Sequence, residues 1–468
     1  MKELIVNFVS YGLAVSLERL MSFLLIPLYA DAFSVTEFGI IDLIQTFSGI
    51  VIIFCFLQLE TALQRYYYEY NGEEKGKFIF SVFFMILSVA VVLGTLVIWL
   101  SPYISLWMCG TGLYATVFKI SAVQIVFSVL STLTLILLRF EKKNKLFTVV
   151  VVGKSLLLVG AMYSFISIAH CGINGFFMSQ LLAISMSALF ALFLVRKLFV
   201  CHLSKSLMKL SLRYALPQFP ARVGSATNAY ANRFFILGYL DTYSVGLFSM
   251  ALKIGSIMQL VQQTFMMAWN QYMFETLKKP NNQQQFIFVF RILVPVVFFI
   301  SICLFLFAEE LIVNFASPKF VESARYVGCI TIAISLLIVK EVVDIGPKYK
   351  SKTYYLSISF LAALGVNLVS LFFFIRCFGL EGVVYSMVIA NSTLLVLSWF
   401  FSHKLYPINF PRKIMIASVM PALLLAILMV YVTIPFSYRF ILLLCVTVYY
   451  FLLVYRVVFR RKKNVCHI

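Results

Sequence analysis

Charge is scarce in this chain. Charged residues fill 12% of its 468 positions, against about 25% in soluble proteins. Together with 62% apolar residues, that shortage excludes a soluble globular protein, whose core could not absorb so much apolar sequence. Acid is scarcer still: 18 Asp and Glu stand against 38 Lys and Arg, for a net charge of +20. In a soluble chain such a surplus would suggest nucleic acid. Here the basic residues sit mostly between hydrophobic runs, so basic membrane loops explain them and no nucleic-acid partner is implied. The 4 histidines (His170, His202, His403 and His467) lie near the ends of apolar runs. The 9 cysteines are scattered, with no C-x-x-C or Cys/His spacing, which leaves no motif for a metal or redox cofactor. A glycine-rich phosphate loop is also missing. Gly153-Lys154-Ser155 matches the end of one, but Thr148 stands where its first glycine is needed. Asn391-Ser392-Thr393 matches a glycosylation acceptor, yet falls inside an apolar run.

What the chain does have is apolar runs long enough to cross a bilayer. About fourteen can be placed, at 5–30, 37–61, 78–100, 113–138, 147–168, 174–195, 211–237, 243–268, 286–307, 323–343, 354–375, 381–401, 414–433 and 437–456. The connections are too short for a separate soluble domain. Met1-Lys2-Glu3 leads into the first run without a small-residue cleavage site, which reads as an uncleaved span. With the N-terminus inside, the inner segments collect 27 basic residues and the outer ones 4 (Lys319, Arg325, Arg376 and Arg439). No inner segment carries fewer basic residues than its outer neighbours, which predicts an even number of spans with both termini cytoplasmic. The basic tail from Arg456 to Lys463 is expected to lie on anionic membrane lipid.

Seven basic residues fall within the runs more than three residues from an end: Arg19, Lys119, Lys154, Arg222, Arg233, Lys253 and Arg291. A cation at membrane depth costs on the order of 2.5–3.5 kcal/mol and usually faces a bundle interior or a wet cavity. Lys119, Lys154, Arg233 and Arg291 lie close enough to a surface to snorkel; Arg19, Arg222 and Lys253 lie deeper. The acids within the runs are Glu18, Asp42 and Glu60, candidates for neutralising a cation or for coupling to protons or sodium. Pro217 and Pro220 free backbone groups that hydrocarbon cannot satisfy, so the run at 211–237 should bend against protein or water. A bent helix bearing buried cations points to an anion site within the membrane.

The sequence also repeats at an offset of about 207 positions. Phe38-Gly39 corresponds to Val245-Gly246, Gly172-Ile173-Asn174-Gly175 to Gly379-Leu380-Glu381-Gly382, and Lys143 and Lys145 to Lys350 and Lys352. Six spans per repeat give both halves one orientation, about an axis along the membrane normal. The expected architecture is an all-α polytopic membrane protein with a lobe at 1–203, a second at 204–410, a central cleft, and two extra spans with a basic tail at 411–468.

Several stretches carry a family resemblance. LERLMSFLLIPLYADAFSVTEFGIIDLIQ with ETALQRYYYEY resembles the N-terminal signature of Wzx-type polysaccharide repeat-unit flippases, the O-antigen and capsule branch of the multidrug/oligosaccharidyl-lipid/polysaccharide exporter superfamily. LRFEKKNKLFTVVVVGKSL, the GING turn, RYALPQFPARVGSATNAYANRFFILGYLDTYSVGLFSMALKIGSIM and FGLEGVVYSMVIA are similar to that family too. The resemblance covers residues 10–400 or so. It implies a flippase of the bacterial inner membrane, with no catalytic residues. The implied substrate is an undecaprenyl-pyrophosphate-linked oligosaccharide, carried to the periplasmic leaflet by alternating access. Polysaccharide polymerase and chain-length regulator partners are implied as well. Arg19, Arg222, Arg233 and Lys253 match basic positions of the family. Where the family often has Asp-Arg, this chain has Asn232-Arg233. A multidrug exporter of the same superfamily, a lipid II flippase and a membrane-embedded polymerase or glycosyltransferase remain open as alternatives.

Overall fold

The computed structural model of the protein describes residues 17, 18, 20, 21, 23–277, 279–350, 352, 354–432 and 434–465, and no β-strand occurs among them. The chain forms two compact units, Met1–Tyr230 and Ala231–Ile468.

The first unit contains α1 (Ile26–Ala32), α2 (Val35–Phe56), α3 (Leu59–Tyr66), α4 (Gly72–Cys109), α5 (Ala115–Phe140), α6 (Asn144–Met162), α7 (Gly172–Val195), α8 (Lys205–Ala215) and the start of α9 (Phe219–Tyr239). The second contains the rest of α9, then α10 (Thr242–Leu277), α11 (Asn282–Leu306), α12 (Ala324–Val343), α13 (Tyr354–Phe378), α14 (Leu380–Leu405), α15 (Arg412–Tyr431) and α16 (Phe436–Val465). Each unit has a hub. In the first, α5 packs against α2, α4 and α7; in the second, α12 packs against α10, α11, α14 and α15. Shifted by 207, α5 falls on α12, so the two hubs are repeat equivalents. Polar ties cross these packed faces where lipid offers no partner. Gln124 donates to Gln180 at 2.9 Å, Ser301 to Thr331 at 2.8 Å, and Asn391 to the carbonyl of Ala333 at 2.8 Å.

Twelve helical segments among the described residues are long and apolar enough to cross a membrane. The expected fourteen differ in two places. The run at 5–30 lies largely outside the described residues. The run at 211–237 is divided: α8 ends at Ala215, Leu216–Gln218 form one 3-10 turn, and α9 begins at Phe219. Pro217 and Pro220 explain the break, since neither supplies an amide donor and each restricts the residue before it. Helix α8 exposes Lys205, Lys209 and Arg213, four residues apart on one face, and buries Ser211 and Ala215. That pattern suits a helix lying along a surface rather than crossing one. Helix α9 is long enough to span but too polar to qualify by hydropathy.

The repeat extends to the helix caps. Ser34 caps α2, accepting from the amide of Glu37 at 3.2 Å. Its equivalent Asp241 caps α10, accepting from the amide of Ser244 at 2.7 Å. The GING and GLEG turns have a common cause. Gly172 and Gly379 take the left-handed conformation, with φ of +57° and +59°, where a side chain would be strained. Gly175 and Gly382 let the next helix start against the last turn of the preceding one. A Cβ at Gly382 would sit 2.1 Å from the carbonyl oxygen of Phe374, whereas one at Gly175 would meet the Phe165 carbonyl oxygen at 3.0 Å. Gly382→Ala is therefore expected to destabilise by about 2–3 kcal/mol, at the upper end for overpacking, and Gly175→Ala by less. Thermal unfolding of the two variants in detergent checks the order.

The basic loops gather at one end of each unit. In the first, Tyr67 donates to Glu141 at 2.5 Å, Lys75 pairs with the same carboxylate at 3.0 Å, and the Lys75 ammonium lies 3.9 Å above the Tyr67 ring. Burial pushes the Glu141 carboxyl up, but the Tyr67 and Lys75 hydrogen bonds, with Lys75 and Lys143 charge, hold it below the usual range. In the second, Tyr406 donates to Asn282 at 2.7 Å and the Gly346 amide to Ser402 at 2.8 Å. Lys340 joins Asp344 at 2.8 Å and Glu341 at 3.3 Å, and Lys348 joins Glu341 at 2.9 Å. At the other end of this unit, Arg439 of α16 is buried. It grips Glu310 through two hydrogen bonds of 2.7 and 2.8 Å, pairs with Glu309, and donates to the Ile434 carbonyl at 2.7 Å.

Candidate functional site

The sequence-marked residues divide between the units. The first holds Glu18, Asp42, Glu60, Lys119, Lys154 and Arg222; the second holds Arg233, Lys253 and Arg291. Arg19 lies outside the described residues.

In the first unit one ion pair forms and one longer-range attraction. Lys154 on α6 makes a salt bridge with Glu18. The acid adjoining Arg19 thus neutralises a lysine of another helix, as side chains 100° apart on one helix cannot pair face to face. Arg222, exposed in the first turn of α9, attracts the carboxylate of Glu60 on α3. One oxygen of Glu60 is buried without a hydrogen bond. Asp42 is buried on α2. Lys119 is exposed near the start of α5, where its stem can reach a membrane surface.

Helix α9 reaches Arg222 through sequence-dictated contacts. Pro220 stands in its first turn, where a missing amide proton costs nothing. Phe219 packs edge-on to Phe54 of α2, with ring centroids 5.5 Å apart. Tyr230 lies against Gly49, where a Cβ would come within 2.7 Å of its hydroxyl. The helix therefore rests on α2 at two levels. Along it stand Arg222, Ser225, Thr227, Asn228, Asn232 and Arg233, too many polar groups for a helix wrapped in lipid.

In the second unit Arg233 and Lys253 are half-buried. Asn232 is buried, and its side-chain carbonyl has no hydrogen-bond partner. Arg291 is half-buried, with a buried Nε that lacks a partner. Beyond these, an apolar groove of about 250 Å³ runs between α11 and α16, lined by Pro295, Phe299, Tyr450, Phe451 and Val454 among others.

Sequence reading missed the ion cluster of Lys340, Glu341, Asp344 and Lys348. Asp344 is fully buried, yet nothing in its surroundings in the sequence distinguishes it from a loop acid. It also counted Arg439 among the outer basic residues, whereas it forms one clasp with Glu309 and Glu310.

Known proteins match this arrangement. The structure resembles a lipid II flippase MurJ in an inward closed conformation, at 16% identity and a TM-score of 0.66, covering 98% of this chain and 100% of that one. It also resembles an inward-facing multidrug resistance MATE transporter of the MOP superfamily, at 15% identity and a TM-score of 0.59, over 85% of this chain and 97% of that one. A MATE protein in complex with MaL6 matches at 16% identity and a TM-score of 0.53, over 86% and 95%. At such identities the likeness establishes the fold, that of multi-pass membrane transporters. No curated protein sequence matches. The family model described as polysaccharide biosynthesis protein matches residues 4–277, more than half of the chain, which therefore belongs to that family.

Proposed function

We propose that this protein is a flippase that carries an undecaprenyl-pyrophosphate-linked oligosaccharide repeat unit of an O-antigen or capsule across the bacterial inner membrane, with both termini cytoplasmic. The observation that carries the reading is α9. It is long enough to span a bilayer, too polar to face lipid, and bears two arginines in a family whose members serve polysaccharide biosynthesis. A pyrophosphate crossing about 30 Å of hydrocarbon needs its lost water replaced. Fixed guanidinium groups do this best, because their fork matches phosphate oxygens. Arg222, Arg233, Lys253 and Arg19 are the proposed phosphate contacts, with Lys119 and Arg291 as weaker candidates. Lys154 contributes least, since Glu18 already neutralises it. Sugar hydroxyls fit the amides and hydroxyls of α9, and the lipid tail remains in the bilayer.

No cofactor is proposed, and proton or sodium coupling is assigned to Glu18, Asp42 and Glu60. Glu60 is the best placed of the three, with one buried oxygen that makes no hydrogen bond and a carboxylate that feels the charge of Arg222. A polysaccharide polymerase and a chain-length regulator are the proposed partners. A transporter of organic cations, the second reading, is favoured by the likeness to multidrug transporters but calls for an acidic cavity. The excess of basic over acidic residues within the spans argues against it.

Deleting the gene and extracting lipid-linked oligosaccharides tests the proposal. Loss of surface polymer, with complete single units stranded on the cytoplasmic leaflet, is the expected result. Single units delivered outside but unpolymerised would indicate a polymerase. Normal polymer with altered drug sensitivity would indicate the exporter.

A further inference from the structure

The second unit carries a groove that none of this transport chemistry uses. Its volume is about 370 Å³, and its lining residues are Val396, Trp399, Phe400, His403, Lys404 and Arg412. The first five lie on α14 in two stripes at helical spacing. Val396, Phe400 and Lys404 form one; Trp399 and His403 form the other. Both run from apolar to basic toward the C-terminal end of α14, where the unit gathers its basic loops. Arg412, the first residue of α15, joins the basic end.

The groove is open and its walls are built. Val396 and Phe400 are 64% and 60% exposed. Trp399 is held from behind by Phe290 and Phe410, with ring centroids at 5.6 and 5.9 Å. The connection between α14 and α15 tucks Ile408 and Phe410 inward, and the Ile408 carbonyl lies 3.3 Å from Nδ1 of His403. Among the unit's basic-loop acids, Glu341 and Asp344 are already matched by Lys340 and Lys348.

We infer that this groove is a binding site for an anionic phospholipid of the leaflet on the basic-loop side. An acyl chain would lie along Val396, Trp399 and Phe400, with the phosphodiester among Lys404, Arg412 and His403. The charge gradient along α14 selects this occupant. A zwitterionic lipid satisfies the apolar wall but returns a cation to the basic end. A free phosphate leaves the wall bare. Near an anionic membrane each basic residue contributes about 1 kcal/mol, so two of them set an affinity difference of roughly tenfold to thirtyfold.

The full-length protein in mixed micelles, with phosphatidylglycerol or phosphatidylcholine as probe and native mass spectrometry as readout, tests the site. Wild type should retain phosphatidylglycerol roughly tenfold to thirtyfold better. Lys404→Ala with Arg412→Ala should remove that preference. Lys142→Ala with Lys143→Ala, an equal charge loss in the first unit, should leave it. Val396→Trp, which fills the groove and keeps every charge, should lower phosphatidylglycerol retention several-fold. Equal losses in both lysine-containing pairs would reduce the effect to diffuse attraction and overturn the site. So would unchanged retention in Val396→Trp, or tighter retention of a polyprenyl phosphate than of phosphatidylglycerol.

Discussion

Replacing Arg222 by alanine should lower delivery of surface polymer by tenfold to a hundredfold while the protein stays in the membrane at its normal level. The magnitude follows from losing a charge-assisted hydrogen bond to phosphate, worth about 1.5–3 kcal/mol. Arg222→Lys should recover part of it, since an ammonium keeps the charge but loses the fork. The attraction between Arg222 and Glu60 creates a rival explanation, that the arginine serves only to neutralise a half-buried carboxylate. The double variant Arg222→Ala with Glu60→Gln separates them. If Arg222 holds the substrate phosphate, removing the carboxylate's charge leaves transport as low as in the single variant. If it serves only Glu60, the double variant rises from the level of Arg222→Ala to that of Glu60→Gln alone, the control that carries any coupling role of the carboxylate. Polymer assayed alongside the stranded lipid-linked unit distinguishes these outcomes, and normal export in Arg222→Ala would reject the site outright.

How far the sequence could be read depended on whether the signal was local. Apolar runs, basic loops and the break at Pro217 and Pro220 are local, and the helices follow them. The repeat was legible at three landmarks because GING and GLEG, the lysine pairs and the glycines after Phe38 and Val245 are short motifs. The cap equivalence of Ser34 and Asp241 was not, since serine and aspartate share a role without sharing identity. The bend expected in 211–237 is a full division, because apolar length was read across the prolines as one span. The charges were the least legible. Glu18 lies far along the chain from Lys154, and Arg439 from Glu309 and Glu310; pairing over such separations is set by helix packing, which spacing alone does not encode. Arg439 therefore reads as a surface cation on the basis of position, although it is 4% exposed.

That buried arginine carries the largest expected effect on stability. Helix α16 is mostly lipid-facing: only 17% of its apolar window is buried. Against hydrocarbon there is no hydrophobic force to dock a helix, so packing and polar ties must hold it. Packing comes from Tyr450, whose hydroxyl donates to the Ser418 carbonyl at 2.6 Å, and from contact with α11. Tyr449 adds a bond from its hydroxyl to the Ala417 carbonyl at 2.8 Å, and Arg439 adds a charged tie, clasping Glu309 and Glu310 beyond the end of α11. Arg439→Ala leaves two adjacent carboxylates without their cation. Breaking a buried pair costs about 3–5 kcal/mol, and the partial exposure of both glutamates places this case at about 3. The unfolding midpoint in detergent should fall by roughly 5–10 °C. Arg439→Met combined with Glu309→Gln and Glu310→Gln should fall less than Arg439→Ala, because the charges leave together. An unchanged midpoint in Arg439→Ala would mean that contact with α11 and the Tyr449 and Tyr450 hydroxyls dock the last helix without the clasp. Equal losses in the two variants would place the cost in lost packing rather than in the orphaned carboxylates.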